Sequence, residues 1–261
     1  MFIKAKSNDK DRILDLLKKD PAKALFIAGD ILQFGFEVDF QDVYLDEDEN
    51  GIHGVYLRYR NNLVVYIVDQ VIDSESIIKL FEDKTITIIS GVKEHMKMLP
   101  SRILDQIEQR ETYFCECRQT QRTNDLALKA NIDDVEALVD SILQIEEFNL
   151  DKSPREDRIE HLKHQFMHNN KTVFCVKDKN HVVSAASEGV SSDSAMMIVG
   201  VYTLKTHRNK GYARACVENL TQNALDHHLV PCLFYDNPKA GQLYHALGYQ
   251  TFDTWVLGSK K

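Results

Sequence analysis

Hydrophobic residues in the first part of the chain follow two successive patterns. Apolar residues three or four positions apart predict helices over 9–19 and 21–35, the second with a proline in its first turn and a glycine at its end. Three short runs rich in β-branched and aromatic residues follow at 43–45, 54–59 and 63–68. Because turn-forming residues separate these runs, the pattern predicts a three-stranded antiparallel meander.

The rest of the first half alternates helical and extended patterns. We predict a helix at 74–82, a strand at 85–90, a helix at 101–110 and a strand at 113–117. The predicted order of elements is therefore helix, helix, three strands, helix, strand, helix and strand. Alternation of this kind is typical of an α/β domain.

The second half also alternates the two patterns. Its predicted elements are a strand at 126–129, helices opened by Asn131 and Ser153, strands at 172–176, 182–188 and 196–203, a helix after Gly211, a strand at 231–235, a short helix around Tyr244 and a last strand around Trp255. The polar segment 122–125 has no periodicity and is the best boundary between the halves. We therefore predict two domains, 1–121 and 122–261.

Composition narrows the class of protein. A hydrophobic content of 43% and a charged content of 28% are those of an ordinary globular chain. The net charge of −8 disfavours a nucleic-acid binder, which needs a basic face, and slightly favours cationic substrates such as amines. No apolar run approaches the length of a membrane span. We expect a cytoplasmic protein with neither nucleic-acid nor membrane partners.

The five cysteines are scattered along the chain. Cys115 and Cys117 lie two apart in a predicted strand, so both side chains point to one face of the sheet. A single pair at this spacing is a poor zinc site, because structural zinc is usually bound by four ligands. We expect the cysteines to pack in the core as reduced thiols, with no metal bound.

One stretch of the second half carries the strongest chemical signal. The predicted strand 196–203 is followed by a short loop with Arg208 and Lys210, and Gly211 precedes a predicted helix. The first turn of a helix has unpaired backbone N–H groups and partial positive charge, and glycine lets an anion approach the backbone. Arginine adds a fork that fits phosphate oxygens. This is a phosphate-binding arrangement, although its spacing is neither G-x-G-x-x-G nor G-x-x-x-x-G-K-S/T.

The same residues resemble the GNAT N-acetyltransferase family. The loop with which that family binds the diphosphate of coenzyme A has Gln or Arg, two residues of any kind, Gly, one residue of any kind, then Gly or Ala. Residues 208–213 fit at every fixed position. The family then has a strand, an Asn, a short helix with a Tyr, and Gly before an aromatic residue. Here these are 231–235, Asn237, Tyr244 and 248–249, so two motifs match in the right order.

The resemblance implies a fold and a cosubstrate. The fold is α/β (α+β), with a mixed, mostly antiparallel, twisted sheet flanked by helices, the acyl-CoA N-acyltransferase fold. Two of its strands splay apart to admit the acyl carrier, which is implied to be acetyl-CoA. The first half has a similar order of elements but no diphosphate loop. We interpret it as a degenerate GNAT-like copy without a cofactor site, and an unrelated α/β packing domain is the alternative.

The resemblance also assigns roles to single residues. Tyr244 stands where the family has the general acid that protonates the leaving thiolate, and its alternative role is packing on its own helix. Asn237 is implied to bind the pantetheine amides, to cap the helix that follows it, or to do both. The residues implied to bind the coenzyme are Val201, Tyr202, Thr203, Arg208, Asn209, Lys210, Gly211, Tyr212, Ala213, Asn237, Ala240 and Tyr244.

The general base is not evident from the sequence. Glu188, at the end of a predicted strand, is one candidate for a catalytic residue, and Glu147, between two predicted helices, is another. A chain of water molecules is the alternative to both. His207, beside the diphosphate loop, is interpreted as a surface residue or as a cofactor contact.

Two functional hypotheses follow. The first is direct transfer of an acetyl group from acetyl-CoA to a primary amine of a small molecule or peptide, in which positioning supplies most of the acceleration. The second is a non-catalytic coenzyme A sensor or interaction module, which the missing base keeps open. A nucleotide hydrolase is disfavoured because the loop lacks a Lys-Ser/Thr pair. The sequence does not identify the acceptor, and a homodimer stays open.

Overall fold

The described parts of the chain contain both strands and helices in each half, as the hydrophobic pattern predicts. The computed structural model describes residues 1–120, 123–148, 153–168 and 171–261, without the side chain of Glu147. The strands are β1 (Phe2–Lys4), β2 (Gln41–Asp48), β3 (Gly51–Tyr59), β4 (Asn62–Ile67), β5 (Ile88–Val92), β6 (Ile107–Glu116), β7 (Leu128–Lys129), β8 (Val173–Asp178), β9 (His181–Ser191), β10 (Ala195–Thr203), β11 (Val230–Tyr235) and β12 (Gln250–Lys260). The helices are α1 (Lys10–Leu17), α2 (Leu25–Phe34), α3 (Ser74–Phe81), α4 (Lys93–Met96), α5 (Ser101–Leu104), α6 (Val135–Ile142), α7 (Arg155–Met167), α8 (Tyr212–Asp226) and α9 (Pro238–Ala246).

The strands of the described ranges form one sheet in the order β1-β2-β3-β4-β5-β12-β6-β11-β10-β9-β8-β7. The pairs β4–β5 and β10–β11 are parallel, and the other neighbours are antiparallel. The fold class predicted from the sequence, a mixed and mostly antiparallel sheet flanked by helices, is therefore confirmed.

The last strand of each half pairs with the other half. Strand β6, from the first half, lies beside β11, where Phe114 faces Phe234. Strand β12, at the C-terminal end, lies beside β5, where Val256 faces Gly91. Because β6 and β12 also pair with each other, a single sheet runs through both halves. The predicted boundary at 121/122 falls outside the described residues, and the division into two domains stays a prediction.

The predicted helix at 101–110 is wrong in its second part. Helix α5 ends at Leu104, and Ile107 already begins β6. Ile107 pairs with Lys260 and is buried, so a partner strand more than a hundred residues away sets this conformation. Long-range pairing of this kind overrides local helix propensity.

Helices cover both faces of the sheet. Neighbouring residues of β10 point to opposite faces, so Met197 packs in the cluster around α2 while Met196 packs against α8. In β12, Trp255 belongs to the α2 side and Val256 to the side of α3, α4 and α5. Helices α1, α2, α6 and α7 therefore lie on one face, and α3, α4, α5, α8 and α9 lie on the other.

Candidate active site

The turn between β10 and α8 has an unusual backbone. After a short 3-10 turn at 205–207, Asn209 has a φ of +63° and Gly211 a φ of +78°. Glycine adopts this left-handed region without strain, and asparagine tolerates it better than most residues. The chain therefore reverses over three residues and enters α8 at Tyr212.

The first turn of α8 is open to an anion. Gly211 is its N-cap, no side chain of the described residues accepts a hydrogen bond from the first amides, and the first turn contains no acidic residue. A Cβ atom added at Gly211 would meet nothing within 4 Å. An uncapped helix N-terminus carries partial positive charge and unpaired N–H donors. Space and polarity here suit a phosphate group.

Two cations flank this helix start. The Nε of Arg208 donates to the carbonyl of Thr203 at 3.2 Å, and its terminal guanidinium nitrogens have no partner in the described residues. The Nζ of Lys210 lies 5.9 Å from the ring centroid of Tyr212. His207 is already engaged, because its Nε2 lies 3.2 Å from a carboxylate oxygen of Asp178. Arg208 and Lys210 therefore add positive charge that no carboxylate of the described residues neutralises.

Strands β10 and β11 splay apart below this turn. They pair only from Ala195 to Met197, opposite Val230 to Cys232, and β11 then pairs with β6 alone. A bulge interrupts β10 between Val199 and Tyr202, where Gly200 has a φ of +60°. Bulges bend a strand and re-aim its backbone groups, and they occur often beside active sites. The upper part of β10 thus offers a free edge to the gap.

Helix α9 forms the opposite wall of the gap. Its N-cap is Asn237, whose Oδ1 accepts a hydrogen bond from the backbone N–H of Lys239 at 3.0 Å. The capping role expected for Asn237 is therefore present, and its amide nitrogen has no partner in the described residues. Gly241 brings the helix close to β11, since a Cβ there would lie 2.5 Å from the Tyr235 ring.

These elements enclose a cleft of about 650 Å³, which we call the coenzyme cleft after the ligand that the sequence leads us to expect. It brings together most of the residues that the sequence assigned to the coenzyme, namely Val201, Tyr202, Thr203, Arg208, Asn209, Gly211, Tyr212, Ala213, Asn237, Ala240 and Tyr244. Lys210 stands outside its lining, on the exposed turn. Residues from four elements therefore converge on one concave surface of a size usual for small-molecule sites.

Tyr244 lies at the inner end of α9. Its side chain is buried, with ring centroids 6.0 Å from Tyr235 and 6.1 Å from Tyr249. Its hydroxyl has no hydrogen-bond partner in the described residues. Burial raises the pKa of Tyr244 to about 12, because the phenolate would be poorly solvated there. The phenol is therefore a neutral donor at the edge of the cleft.

Glu188 is not brought to this cleft. It lies on β9 and pairs with Ile198 of β10, before the bulge, and its Oε2 accepts a hydrogen bond from the backbone N–H of Thr172 at 3.1 Å. It lines a separate cleft of about 540 Å³ together with Lys171 and His227, towards the C-terminal end of α8. The register of β9 thus separates Glu188 from Tyr244. The other sequence candidate, Glu147, has a side chain outside the described part of the structure.

The model of a protein family described as GNAT acetyltransferase matches residues 41–257, which is most of the chain. The chain belongs to the GNAT acetyltransferase family. The match begins in the first half, so the likeness to GNAT proteins extends beyond 122–261, where the sequence motifs lie. No protein of curated function matches the sequence.

Solved GNAT structures share the fold over the whole chain. A GNAT acetyltransferase from Colwellia psychrerythraea is 13% identical with a TM-score of 0.64, and the match covers 100% of both chains. A GCN5-related N-acetyltransferase from Sphaerobacter thermophilus is 13% identical with a TM-score of 0.66, covering 100% of this chain and 95% of that one. A tandem GNAT protein from the clavulanic acid biosynthesis pathway is 8% identical with a TM-score of 0.59, covering 99% and 97%. At such identities these likenesses establish the fold alone.

The coenzyme cleft also contains residues that the sequence motifs did not single out. Ile145 and Phe148 approach it from the segment after α6, and Asp236 and Leu243 line it near α9. Asp236 directly precedes Asn237, so its position follows from the motif. Its ion pair with Arg110, 2.9 Å long, joins residues 126 positions apart and has no local signal.

Metal and membrane features are absent from the described residues. No group of three or more His, Cys, Asp or Glu side chains there is arranged to hold a metal ion. None of the helices in the described ranges has the length and apolar character needed to cross a bilayer. All five cysteines are buried and unpaired, as expected for packing residues.

Proposed function

We propose that this GNAT protein transfers an acetyl group from acetyl-CoA to a primary amine of a small molecule or peptide. The observation that carries the proposal is the uncapped start of α8, with left-handed Gly211 facing open space, directly above the gap between β10 and β11. A diphosphate bound there would lead its pantetheine arm into that gap.

The diphosphate would be held mainly by the backbone. The amides from Asn209 to Ala213 lie at the uncapped helix start, and Arg208 adds a planar fork for phosphate oxygens. Lys210 contributes charge from outside the cleft lining. Positive groups at the start of α8 and the gap between the strands below it suit a ligand with charge at one end and a long neutral arm.

The pantetheine arm would lie between the two splayed strands. Its amides can pair with the free backbone edge of β10 from Val201 to Thr203, much as a strand would. The unpaired amide nitrogen of Asn237 can donate to a pantetheine carbonyl, and the small side chain of Ala240 leaves room for the arm. A backbone N–H near Tyr202 or Thr203 would then stabilise the oxyanion.

Tyr244 would serve as the general acid. The amine nitrogen attacks the thioester carbonyl carbon, the C–S bond breaks, and the sulfur takes the phenolic proton. Burial keeps this phenol protonated, so a proton donor stands beside the sulfur when the C–S bond breaks. Because its hydroxyl has no partner in the described residues, it is free to face the sulfur. No carboxylate of the cleft needs to act as a strong base if solvent takes the amine proton.

The first half would not bind a second coenzyme. Helix α3 occupies the same place between β4 and β5 as α8 does between β10 and β11. The carboxylate of Asp73 already accepts the N–H of Ser76 at the start of α3, and Glu75 adds another negative charge. Such a helix start repels a diphosphate. This supports our interpretation of the first half as a copy without a cofactor site.

Two measurements test the proposal. Calorimetric titration with coenzyme A should give one site per chain. Purified protein mixed with acetyl-CoA and a panel of amines should release free thiol with at least one amine above the rate of hydrolysis. Binding without amine-dependent thiol release across the panel would favour the sensor or interaction module, and no binding at all would refute both.

A further inference from the structure

A second concavity lies over the central strands, on the face of the sheet that carries α2. Its volume is about 370 Å³, and its floor is formed by β4, β5, β12, β6 and β11. Its main side chains are Phe26, Ser90, Arg110, Thr112, Phe234 and Trp255, and we call it the central groove. Because β6 and β12 exchange places between the halves, both halves of the chain build it.

One wall of the central groove is a continuous aromatic surface. The ring centroid of Phe26 lies 5.9 Å from that of Phe234 and 4.8 Å from that of Trp255. The rings of Phe234 and Trp255 are 5.7 Å apart. Aromatic rings interact favourably at such separations, so this wall suits a ligand with a flat apolar body.

The polar end of the groove is an ion pair that a ligand can separate. Arg110 Nη2 lies 2.9 Å from Asp236 Oδ2, and the two side chains are 77% and 60% exposed. An ion pair this exposed contributes little to stability, so both groups are available to a ligand with opposite charges of its own. Arginine binds carboxylates well through its planar fork.

The groove and the coenzyme cleft meet at this ion pair. Arg110 lines the groove, and Asp236 lines the coenzyme cleft. Phe234, two residues before Asp236, lies on β11, the strand that borders the gap. A ligand in the groove would therefore present its charged end to the place where the thioester is expected.

We propose that the central groove binds the acceptor and that the acceptor is an α-amino acid with an aromatic or large apolar side chain. The side chain packs against Phe26, Phe234 and Trp255. The carboxylate binds Arg110, and the amino group lies at Asp236, beside the coenzyme cleft. This inference rests on the proposed function, and it adds a substrate class and a role for the first half.

Acetyl transfer in this arrangement removes two protons from the ammonium group of the acceptor. The ammonium group loses one proton to solvent while Asp236 accepts a hydrogen bond from the nitrogen. The neutral nitrogen forms a C–N bond with the acetyl carbonyl carbon, the C–S bond breaks, and the sulfur takes a proton from Tyr244. The second proton leaving the nitrogen restores the phenol. The products are the N-acetyl amino acid, coenzyme A and one proton.

Binding can be tested without catalysis, because Trp255 is the single tryptophan of the chain. Its fluorescence, excited where phenylalanine does not absorb, should change in a saturable way when L-phenylalanine is added to protein saturated with coenzyme A. Phenethylamine has the same ring and amine without the carboxylate, and it should bind at least about tenfold more weakly. Equal binding of the two compounds, or no fluorescence change, would overturn the proposal.

Steady-state kinetics test the contact between Arg110 and the carboxylate of the acceptor. Arg110→Gln should lower kcat/KM for L-phenylalanine by about tenfold to a hundredfold, the range expected for losing a hydrogen bond between charged groups. The same variant should leave phenethylamine within about twofold. Arg102→Gln is the matched control, because Arg102 is also an exposed arginine paired with a carboxylate, that of Glu82. It should leave both substrates unchanged.

Phe26→Leu tests the aromatic wall. It should raise KM for L-phenylalanine and phenethylamine alike, because both use the ring pocket, while the Kd of coenzyme A stays the same. That unchanged Kd also reports that the variant is folded.

The outcomes separate this inference from the proposed function. If coenzyme A binds and other amines are acetylated, but Arg110→Gln has no selective effect on phenylalanine, the groove assignment fails and the acetyltransferase stands. If coenzyme A does not bind, both fail. A selective loss in Arg110→Gln, with the Arg102→Gln control unchanged, supports the groove.

Discussion

Replacing Gly211 by glutamate is the sharpest test of the coenzyme site. In the free protein the change should be tolerated, because a Cβ atom at this position meets nothing within 4 Å. The φ of +78° is the remaining difficulty, since a side chain in the left-handed region costs about 1–2 kcal/mol. We therefore expect a folded variant that is less stable by about that amount.

The same substitution should also weaken coenzyme binding. The new carboxylate would stand beside the diphosphate, and two like charges about 4 Å apart repel by roughly 1 kcal/mol in water and roughly 4 kcal/mol near a protein surface. These limits correspond to a weakening of Kd between about fivefold and several hundredfold. Gly211→Ala, which adds bulk without charge, should fall between glutamate and wild type.

Titration calorimetry with coenzyme A and urea unfolding measure the two effects separately. Gly51→Glu is the matched control, because Gly51 also has a positive φ, +135°, and open space around its missing Cβ, but lies in the β2–β3 hairpin. It should lose some stability and keep its coenzyme affinity. A Kd for Gly211→Glu within about twofold of wild type would refute the reasoning from the helix N-terminus.

Three further predictions concern the general acid Tyr244, the sheet shared by the two halves and the pH dependence of stability. Tyr244→Phe should lower kcat with little change in the Kd of coenzyme A, and equal turnover would remove Tyr244 as the acid. Ile89→Ala, in the first half, should cost about 2–5 kcal/mol and still give one calorimetric unfolding transition, whereas two transitions would contradict a continuous cooperative sheet. His53 donates hydrogen bonds to the carboxylates of Asp69 and then Asp48, and these raise its pKa, so the stability it contributes is present at low pH and is lost as pH rises through that pKa. His53→Gln should therefore lower the urea midpoint more at about pH 5.5 than at about pH 9, and an equal loss at both would argue against this linkage.

The geometry of the turn between β10 and α8 was predictable because its determinants are local. A strand, a glycine that adopts the left-handed region and an uncapped helix start all lie within 196–226. Local geometry also explains why the capping role of Asn237 was predictable, since capping depends on the next few residues. The lining of the cleft from Val201 to Ala213 follows directly from this short-range order.

Pairings between distant strands were not predictable. The segment after Leu104 becomes extended because β12 pairs with it, and no pattern within that segment indicates so. The position of Glu188, in a cleft other than the one expected from the sequence, has a similar cause. The register of β9 against β10 decides which cleft its carboxylate lines. The Arg110–Asp236 contact likewise depends on β6 lying beside β11.

The capping of two helix starts would account for the different roles that we propose for the two halves. Helices α3 and α8 hold the same place in the strand order, yet Asp73 caps one with a carboxylate and Gly211 leaves the other open. Under our proposal, the electrostatics of this one position favour a diphosphate at α8 and disfavour it at α3. The other half is not redundant, because its strand β6 is the neighbour of β11 and carries Arg110 to the end of the gap. Exchange of the last strands thus brings a residue of the first half to the edge of the cleft in which we propose that the coenzyme binds.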